Sequence, residues 1–197
     1  MNSLAESTLA VFNQTGAYLN GHFRLTSGLH SPEYLQCALV LQHPHIAEKL
    51  GAELAARLRE LAGGVQIDIV SAPAIGGLII GHEVSRALNA RFVFAERDPS
   101  ARMVIRRGFE VAPDQTAVVI EDVITTGGST KEVIEVLRGK GVNVVASGSI
   151  IDRSGGRADL GVPRIALATL NVISYSEENC PMCKQGLPVQ KPGSRPS

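Results

Sequence analysis

The chain has 197 residues, is 44% hydrophobic, and carries 19 basic and 19 acidic side chains for a formal net charge of zero. That balance fits one globular domain with a sizeable core and excludes the bulk charge signature of a nucleic-acid or membrane-surface protein. No apolar stretch approaches the roughly 20 residues needed to span a bilayer, and the opening MNSLAESTLA lacks a signal-peptide pattern, so a cytoplasmic location is expected.

Apolar residues recur at helical spacing over 4–13 and over 44–62, the latter ending IAEKLGAELAARLRELAGG on a glycine stop. IDIVSAPAIGG predicts a strand, a small-residue loop and a helix from about Leu78 to Leu88. RFVFAER predicts a short strand, VIRRGFEV half of a ribbon, and AVVIED the next strand. KEVIEVLRGKG predicts a helix over about 131–138, with Val133, Ile134, Val136 and Leu137 on its buried face. VNVVASGSIIDRS and PRIALATL supply two further strands, and from Asn179 onward the composition shifts to proline, glycine and charge, predicting a partly ordered C-terminal tail. Strands alternating with helices at this spacing imply right-handed crossovers and an α/β fold: a mostly parallel twisted sheet with helices on both faces. Ligands of such sheets bind outside the carboxyl ends of the strands, which gathers 71–77, 96–97, 121–129 and 152–153 around one crevice.

The richest chemistry lies in VVIEDVITTGGST, residues 118–130. An apolar run that suits a central strand ends in two carboxylates, Glu121 and Asp122, followed by a hydroxyl- and glycine-rich turn. Gly127 and Gly128 allow a tight turn that exposes successive N–H groups, so Thr125 to Ser129 can surround a phosphate at a helix N-terminus. A carboxylate would repel that phosphate, but vicinal ribose hydroxyls can donate to it, and the segment therefore suits a ribose 5-phosphate. TTGGSTK lacks the spacing of a P-loop, and no strand is followed by GxGxxG.

VVIEDVITTGGST resembles the phosphoribosyl pyrophosphate signature of the type I phosphoribosyltransferases. Three more stretches are similar to the orotate phosphoribosyltransferase family: HFRLTSGLHSPEYLQ, FAERDPSARMVIRRGFEV and CPMCKQGLPVQKPGSR. The resemblance implies the type I phosphoribosyltransferase fold as one domain over 1–197, with an N-terminal hood over about 1–40 and the tail over about 179–197. The implied reaction, in pyrimidine synthesis, moves ribose 5-phosphate from pyrophosphate to N1 of orotate, giving orotidine 5′-monophosphate through an oxocarbenium-like transition state. It also implies Mg²⁺ held mainly by substrate and water, without a dedicated protein cage, and a homodimer. Glu121 and Asp122 then hold the ribose, Thr125 to Ser129 the phosphate, with Val123 and Ile124 also on the substrate-binding segment, and Ala74, Ile75 and Gly76 belong to the pyrophosphate loop.

Arg153 in IIDRSGG matches the family's orotate-binding arginine, with Thr125 the hydroxyl contact; the bland alternative for Arg153 is a salt bridge to Asp152 or Asp159. Thr26, Ser27 and Gly28 match the hood over the base. Arg97, Arg102, Arg106 and Arg107 lie where the family has a mobile lid, which in many members closes over a neighbouring subunit's site. The lid sequence ERDPSARMVIRRG departs from the longer, glycine-rich bacterial form, having neither its lysine nor its histidine, so arginine must substitute if the role survives. Other readings of the same residues are transfer to a purine or another pyrimidine, or a regulator that binds phosphoribosyl pyrophosphate without transferring it; no basic helix-turn-helix segment supports a DNA-binding regulator.

His22, His30, His43, His45 and His82 form no helical metal pair or triad. Cys180 and Cys183 make a single CxxC and Cys37 is remote in sequence, so no stoichiometric zinc is expected unless two subunits combine their pairs.

Overall fold

The computed structural model describes residues 3–25 and 27–191. Helix α1 (Leu4–Gln14) leads into a hairpin, β1 (Tyr18–Arg24) and β2 (His30–Leu35), then α2 (Cys37–Leu41) and α3 (Pro44–Leu61). Then follow β3 (Ile69–Pro73), α4 (Gly77–Leu88), β4 (Arg91–Arg97), β5 (Met103–Val104), β6 (Thr116–Ile124), α5 (Gly128–Arg138), β7 (Asn143–Asp152) and β8 (Arg164–Thr169). A last short helix, α6 (Pro181–Lys184), lies in the tail.

Six strands make the main sheet in the order β5-β4-β3-β6-β7-β8, all parallel except the β4–β5 pair. Its apolar runs are buried from both sides, as a parallel sheet requires. Along β6, Val118 and Ile120 join a core formed with α1, α3 and α4, while the alternate residues Ala117 and Val119 join a second core formed with Val133, Ile134 and Leu137 of α5. The chain runs outward from β3 to β4 and β5, then returns to β6 on the other side of β3. That reversal opens a crevice at the carboxyl ends of β3 and β6, the place where open α/β sheets bind ligands.

The structure revises four expectations. β6 does not stop at the carboxylates: it stays paired with β7 through Ile124, so Glu121 and Asp122 lie within the strand. Helix α5 starts at Gly128, so the hydroxyl-rich turn supplies the helix's first turn. VIRRGFEV forms little ribbon: only Met103 and Val104 pair with β4, because Arg107 and Gly108 take left-handed backbone angles (φ 60° and 73°) that no strand admits.

The fourth revision concerns the tail. It returns to the β1–β2 hairpin, where the Gln190 amide donates to the His22 carbonyl and His30 and Tyr175 exchange backbone hydrogen bonds, each at 2.8 Å. This contact sets the Cys180-Cys183 pair against His22 and His30 within one subunit, giving four donors where spacing along the chain indicated two. The hairpin brings its two histidines together across its strands, a juxtaposition that no helical or CxxC periodicity encodes.

Candidate active site

The crevice begins where β3 ends. Pro73 closes the strand and Ala74 to Gly77 form a tight loop entering α4, with the Ala74 amide donating to the Ala95 carbonyl at 2.7 Å and a cis Ala74–Ile75 peptide. Ile75 is 79% exposed at the tip. A Cβ on Gly76 would lie 2.7 Å from Asp122 Oδ1, and one on Gly77 would lie 3.0 Å from the Ile120 carbonyl oxygen. Only glycine permits the loop backbone to come this close to the acidic pair.

Strand alternation sends Glu121 and Asp122 to opposite sides of β6. Glu121 is buried beneath the turn, its Oε2 accepting a long 3.5 Å hydrogen bond from the Thr130 hydroxyl. Asp122 faces the crevice, and its Oδ1 accepts from the Val123 amide at 2.8 Å. Burial, and then the neighbouring Asp122 charge, push the Glu121 carboxyl well above the usual carboxylate range; burial also raises Asp122, against the pull of the Val123 amide. Only Oε2 of Glu121 and Oδ1 of Asp122 accept hydrogen bonds among the described residues, so the other oxygen of each carboxylate can accept from the hydroxyls of a sugar.

After β6, Thr125 to Ser129 wrap a pocket of about 70 Å³ at the start of α5, also bounded by Glu121, Val123, Ile124 and Thr130. No side chain caps this helix, and its N-terminal amides open onto a space the size of a small anion. Gly127 is at φ 80°, and a Cβ there would meet Leu160 Cδ2 at 2.5 Å. Gly127→Ala is therefore expected to destabilise the fold by about 1–2 kcal/mol and loosen the turn, measured by urea denaturation. An unchanged midpoint would show that the turn does not depend on this geometry.

Beyond the turn lies a larger cleft of about 670 Å³. Asp122, Val123, Thr125, Thr126 and Arg153 line it from the sheet, and Ser27 from the hairpin. The hairpin also contributes Arg24 and Tyr34, and the loop after β7 contributes Arg157, three residues the motif reading missed. Arg24 and Tyr34 sit inside the stretch HFRLTSGLHSPEYLQ, where the strand alternation of the hairpin was their only signal. Thr26 lies outside the described residues.

Arg153 is not held by either carboxylate weighed for it. Asp152, itself buried, is taken by Arg164 at 2.6 Å and by the amides of Ser154 and Gly156, while an Asp159 oxygen accepts from the Gly161 amide. These hydrogen bonds outweigh burial and keep the Asp152 carboxyl below its usual range. Arg153 forms no ion pair among the described residues, and its Nε is buried without a hydrogen-bond partner. Burial lowers its pKa from the usual arginine value, with Tyr34, Glu33 and Tyr18 pulling the other way.

The lid arginines are elsewhere. Arg97 grips Glu132 of α5 with two hydrogen bonds of 2.8 and 3.0 Å, Arg102 bonds Asp98, and Arg106 and Arg107 share Glu96 at 2.8 Å. None of the four lines the cleft of Asp122 and Arg153. Their ion pairs are exposed, with Arg102 at 76%, and exposed pairs of this kind are weak enough to be exchanged for another anion.

Comparison with known proteins agrees with this geometry. Residues 40–164 match the family described as "Phosphoribosyl transferase domain". The chain is 53% identical over 190 residues to an orotate phosphoribosyltransferase of Pelotomaculum thermopropionicum, covering 96% of this chain and 97% of that protein. It is 50% identical over 185 residues to one of Thermotoga petrophila, covering 94% and 96%. The crystal structure of the Aeropyrum pernix orotate phosphoribosyltransferase shares the fold with a TM-score of 0.64 at 28% identity, over 82% of this chain and 92% of that one. With a relative this similar over nearly its whole length, the chain belongs to the orotate phosphoribosyltransferase family.

Proposed function

We propose that the chain transfers ribose 5-phosphate from phosphoribosyl pyrophosphate to N1 of orotate, releasing pyrophosphate and giving orotidine 5′-monophosphate for pyrimidine nucleotide synthesis. The observation that carries this reading is Arg153, a partly buried guanidinium without a carboxylate partner among the described residues, lining the same cleft as Asp122. A cation in that position suits an anionic base. Thr125 to Ser129 bind the 5′-phosphate, Glu121 and Asp122 accept from the ribose hydroxyls, and the loop from Ala74 to Gly76 takes the diphosphate. Thr125, Ser27 and Arg153 then surround the base.

As the C–O bond to pyrophosphate breaks, positive charge grows on the ribose ring and negative charge on the leaving group. The two carboxylates favour the first, and cations of the lid favour the second. Catalysis is then electrostatic and positional. The partly desolvated oxygen donors beside the diphosphate loop fit a hard divalent ion, and Glu121 and Asp122 would hold Mg²⁺ through ribose oxygens and water. When bound, the ion neutralises charge on the diphosphate. The deciding assay follows orotate consumption spectrophotometrically with phosphoribosyl pyrophosphate and Mg²⁺. Loss of orotate absorbance is expected, and its absence with folded protein would favour the regulator reading.

The working unit in this reading is a homodimer in which each lid serves the neighbouring site. The motivation is that Arg97, Arg102, Arg106 and Arg107 are paired with carboxylates of their own chain and do not line the cleft. Two inactive variants, one with Arg102, Arg106 and Arg107 changed to alanine and one with Asp122→Asn, should regain activity when mixed under conditions of subunit exchange. A hybrid dimer has one site with both an intact lid and an intact acid. If hybrids form and remain inactive, the lid works within its own subunit or not at all.

A further inference from the structure

Apart from the residues that line the cleft, four metal-binding side chains converge: His22 of β1, His30 at the start of β2, and Cys180 and Cys183 in and beside α6. We propose that these four residues form a structural zinc site that fastens the C-terminal tail to the hairpin covering the substrate cleft.

The distances suit a tetrahedron. Zinc bonds of about 2.0–2.1 Å to nitrogen and about 2.3 Å to sulfur give nitrogen-to-sulfur edges of about 3.5 Å and nitrogen-to-nitrogen edges of about 3.3 Å. Cys180 Sγ lies 3.5 Å from His22 Nε2, and Cys183 Sγ lies 3.6 Å from His22 Nε2 and 3.2 Å from His30 Nδ1. The His22 Nε2 and His30 Nδ1 atoms are 2.7 Å apart, so the rings need part by only a fraction of an ångström to admit an ion. All four donor atoms lie within 4.8 Å of one another.

The surroundings select the donors. His22 Nδ1 is 2.9 Å from the Leu187 carbonyl, and donation there fixes the tautomer that turns the Nε2 lone pair towards the cysteines. His22, His30 and Cys180 are nearly inaccessible to solvent, and the cysteines form no disulfide. Two thiolates neutralise one Zn²⁺, so the ion adds no net charge to this buried place. Two soft sulfurs and two imidazoles without a carboxylate select zinc over Mg²⁺.

The backbone explains what the ion would hold. Gln190 bridges β1 through its amide to the His22 carbonyl and its carbonyl to the Arg24 amide, each at 2.8 Å, and Tyr175 bridges His30. The hairpin forms a two-stranded sheet apart from the main one, and hairpins of that size are marginal alone. Yet it carries Arg24, Ser27 and Tyr34 into the cleft. Because zinc binding free energy is folding free energy, a fourfold site joining hairpin to tail would set the position of these three residues.

The full chain, produced with zinc in the medium and purified without chelator, is expected to contain about one zinc per chain by elemental analysis. Cys183→Ser and, separately, His30→Ala should each lower the content at least tenfold, to below about 0.1 per chain. Should either variant fold poorly, cobalt exchange into the unaltered protein gives an independent reading. Co²⁺ should produce the intense visible bands of a tetrahedral site with thiolate-to-metal charge transfer in the near ultraviolet. Zinc below about 0.1 per chain together with no cobalt bands would overturn the site. So would zinc that survives both substitutions in folded protein, since the metal would then be bound elsewhere.

Discussion

Asp122→Asn is expected to leave the fold intact and lower turnover roughly 100-fold or more, about 3 kcal/mol, the scale of one strong electrostatic catalytic group. The substitution preserves size, and an asparagine oxygen can still accept from the Val123 amide, which the aspartate does at 2.8 Å. What disappears is a negative charge on the crevice side of β6, next to the loop that carries Gly76. If that charge acts on a cationic ribose ring, its removal costs more in the transition state than in the substrate complex. Turnover should then fall further than substrate affinity. Circular dichroism and the thermal midpoint establish that the variant is folded, and steady-state kinetics with phosphoribosyl pyrophosphate measures the loss. Near-normal turnover in folded protein would remove Asp122 from the chemistry. Glu121→Gln offers a contrast, because Glu121 is buried and meets Thr130 beneath the turn. Its substitution should lower turnover as well, since both carboxylates act on the ribose in the proposed reaction, and should in addition weaken affinity by disturbing the turn that Thr130 anchors.

The parts of this fold that the sequence made legible are those governed by local rules. Ala117 to Ile120 are fully buried, and an apolar run of that kind reads as a strand covered on both faces. The glycines at 76, 77 and 127 each stand where a side chain would collide with a specific neighbour, and the tight turns expected after β3 and β6 from residue type are present. Beyond the local rules, legibility stopped. The ribbon expected over 104–111 required extended backbone at Arg107 and Gly108, but their left-handed angles turn Arg106 and Arg107 back onto Glu96. Asp152 was weighed as a partner for its neighbour Arg153, and the structure gives it to Arg164 on the adjacent strand. The histidine and cysteine cluster is the extreme case. His22 and Cys180 are 158 positions apart, and only the return of the tail to the hairpin brings them together.

In the proposed reaction Arg153 is the residue that selects the base, and its substitution is expected to give the second large effect. Orotate differs from uracil by a carboxylate on the carbon next to the reacting nitrogen. With Asp152 committed to Arg164, the Arg153 guanidinium faces the cleft with Nε buried and unpartnered. Orotate can satisfy it through charge-assisted hydrogen bonds, whereas uracil leaves it unpaired in a partly dry site. The unaltered protein should therefore reject uracil by about 3 kcal/mol, or roughly 150-fold in kcat/KM. Arg153→Ala should lower kcat/KM for orotate by a similar factor and change the residual reaction with uracil little, since uracil never used the cation. Discrimination between the two bases should thus collapse, even though Asp122 and the phosphate turn are untouched. A general loss of stability could not produce that pattern, because it would reduce both reactions alike. Equal losses for the two bases would mean that Arg153 supports the fold or the phosphates. Orotate recognition would then fall to the hairpin, where Arg24 and Ser27 reach the same cleft from the opposite wall.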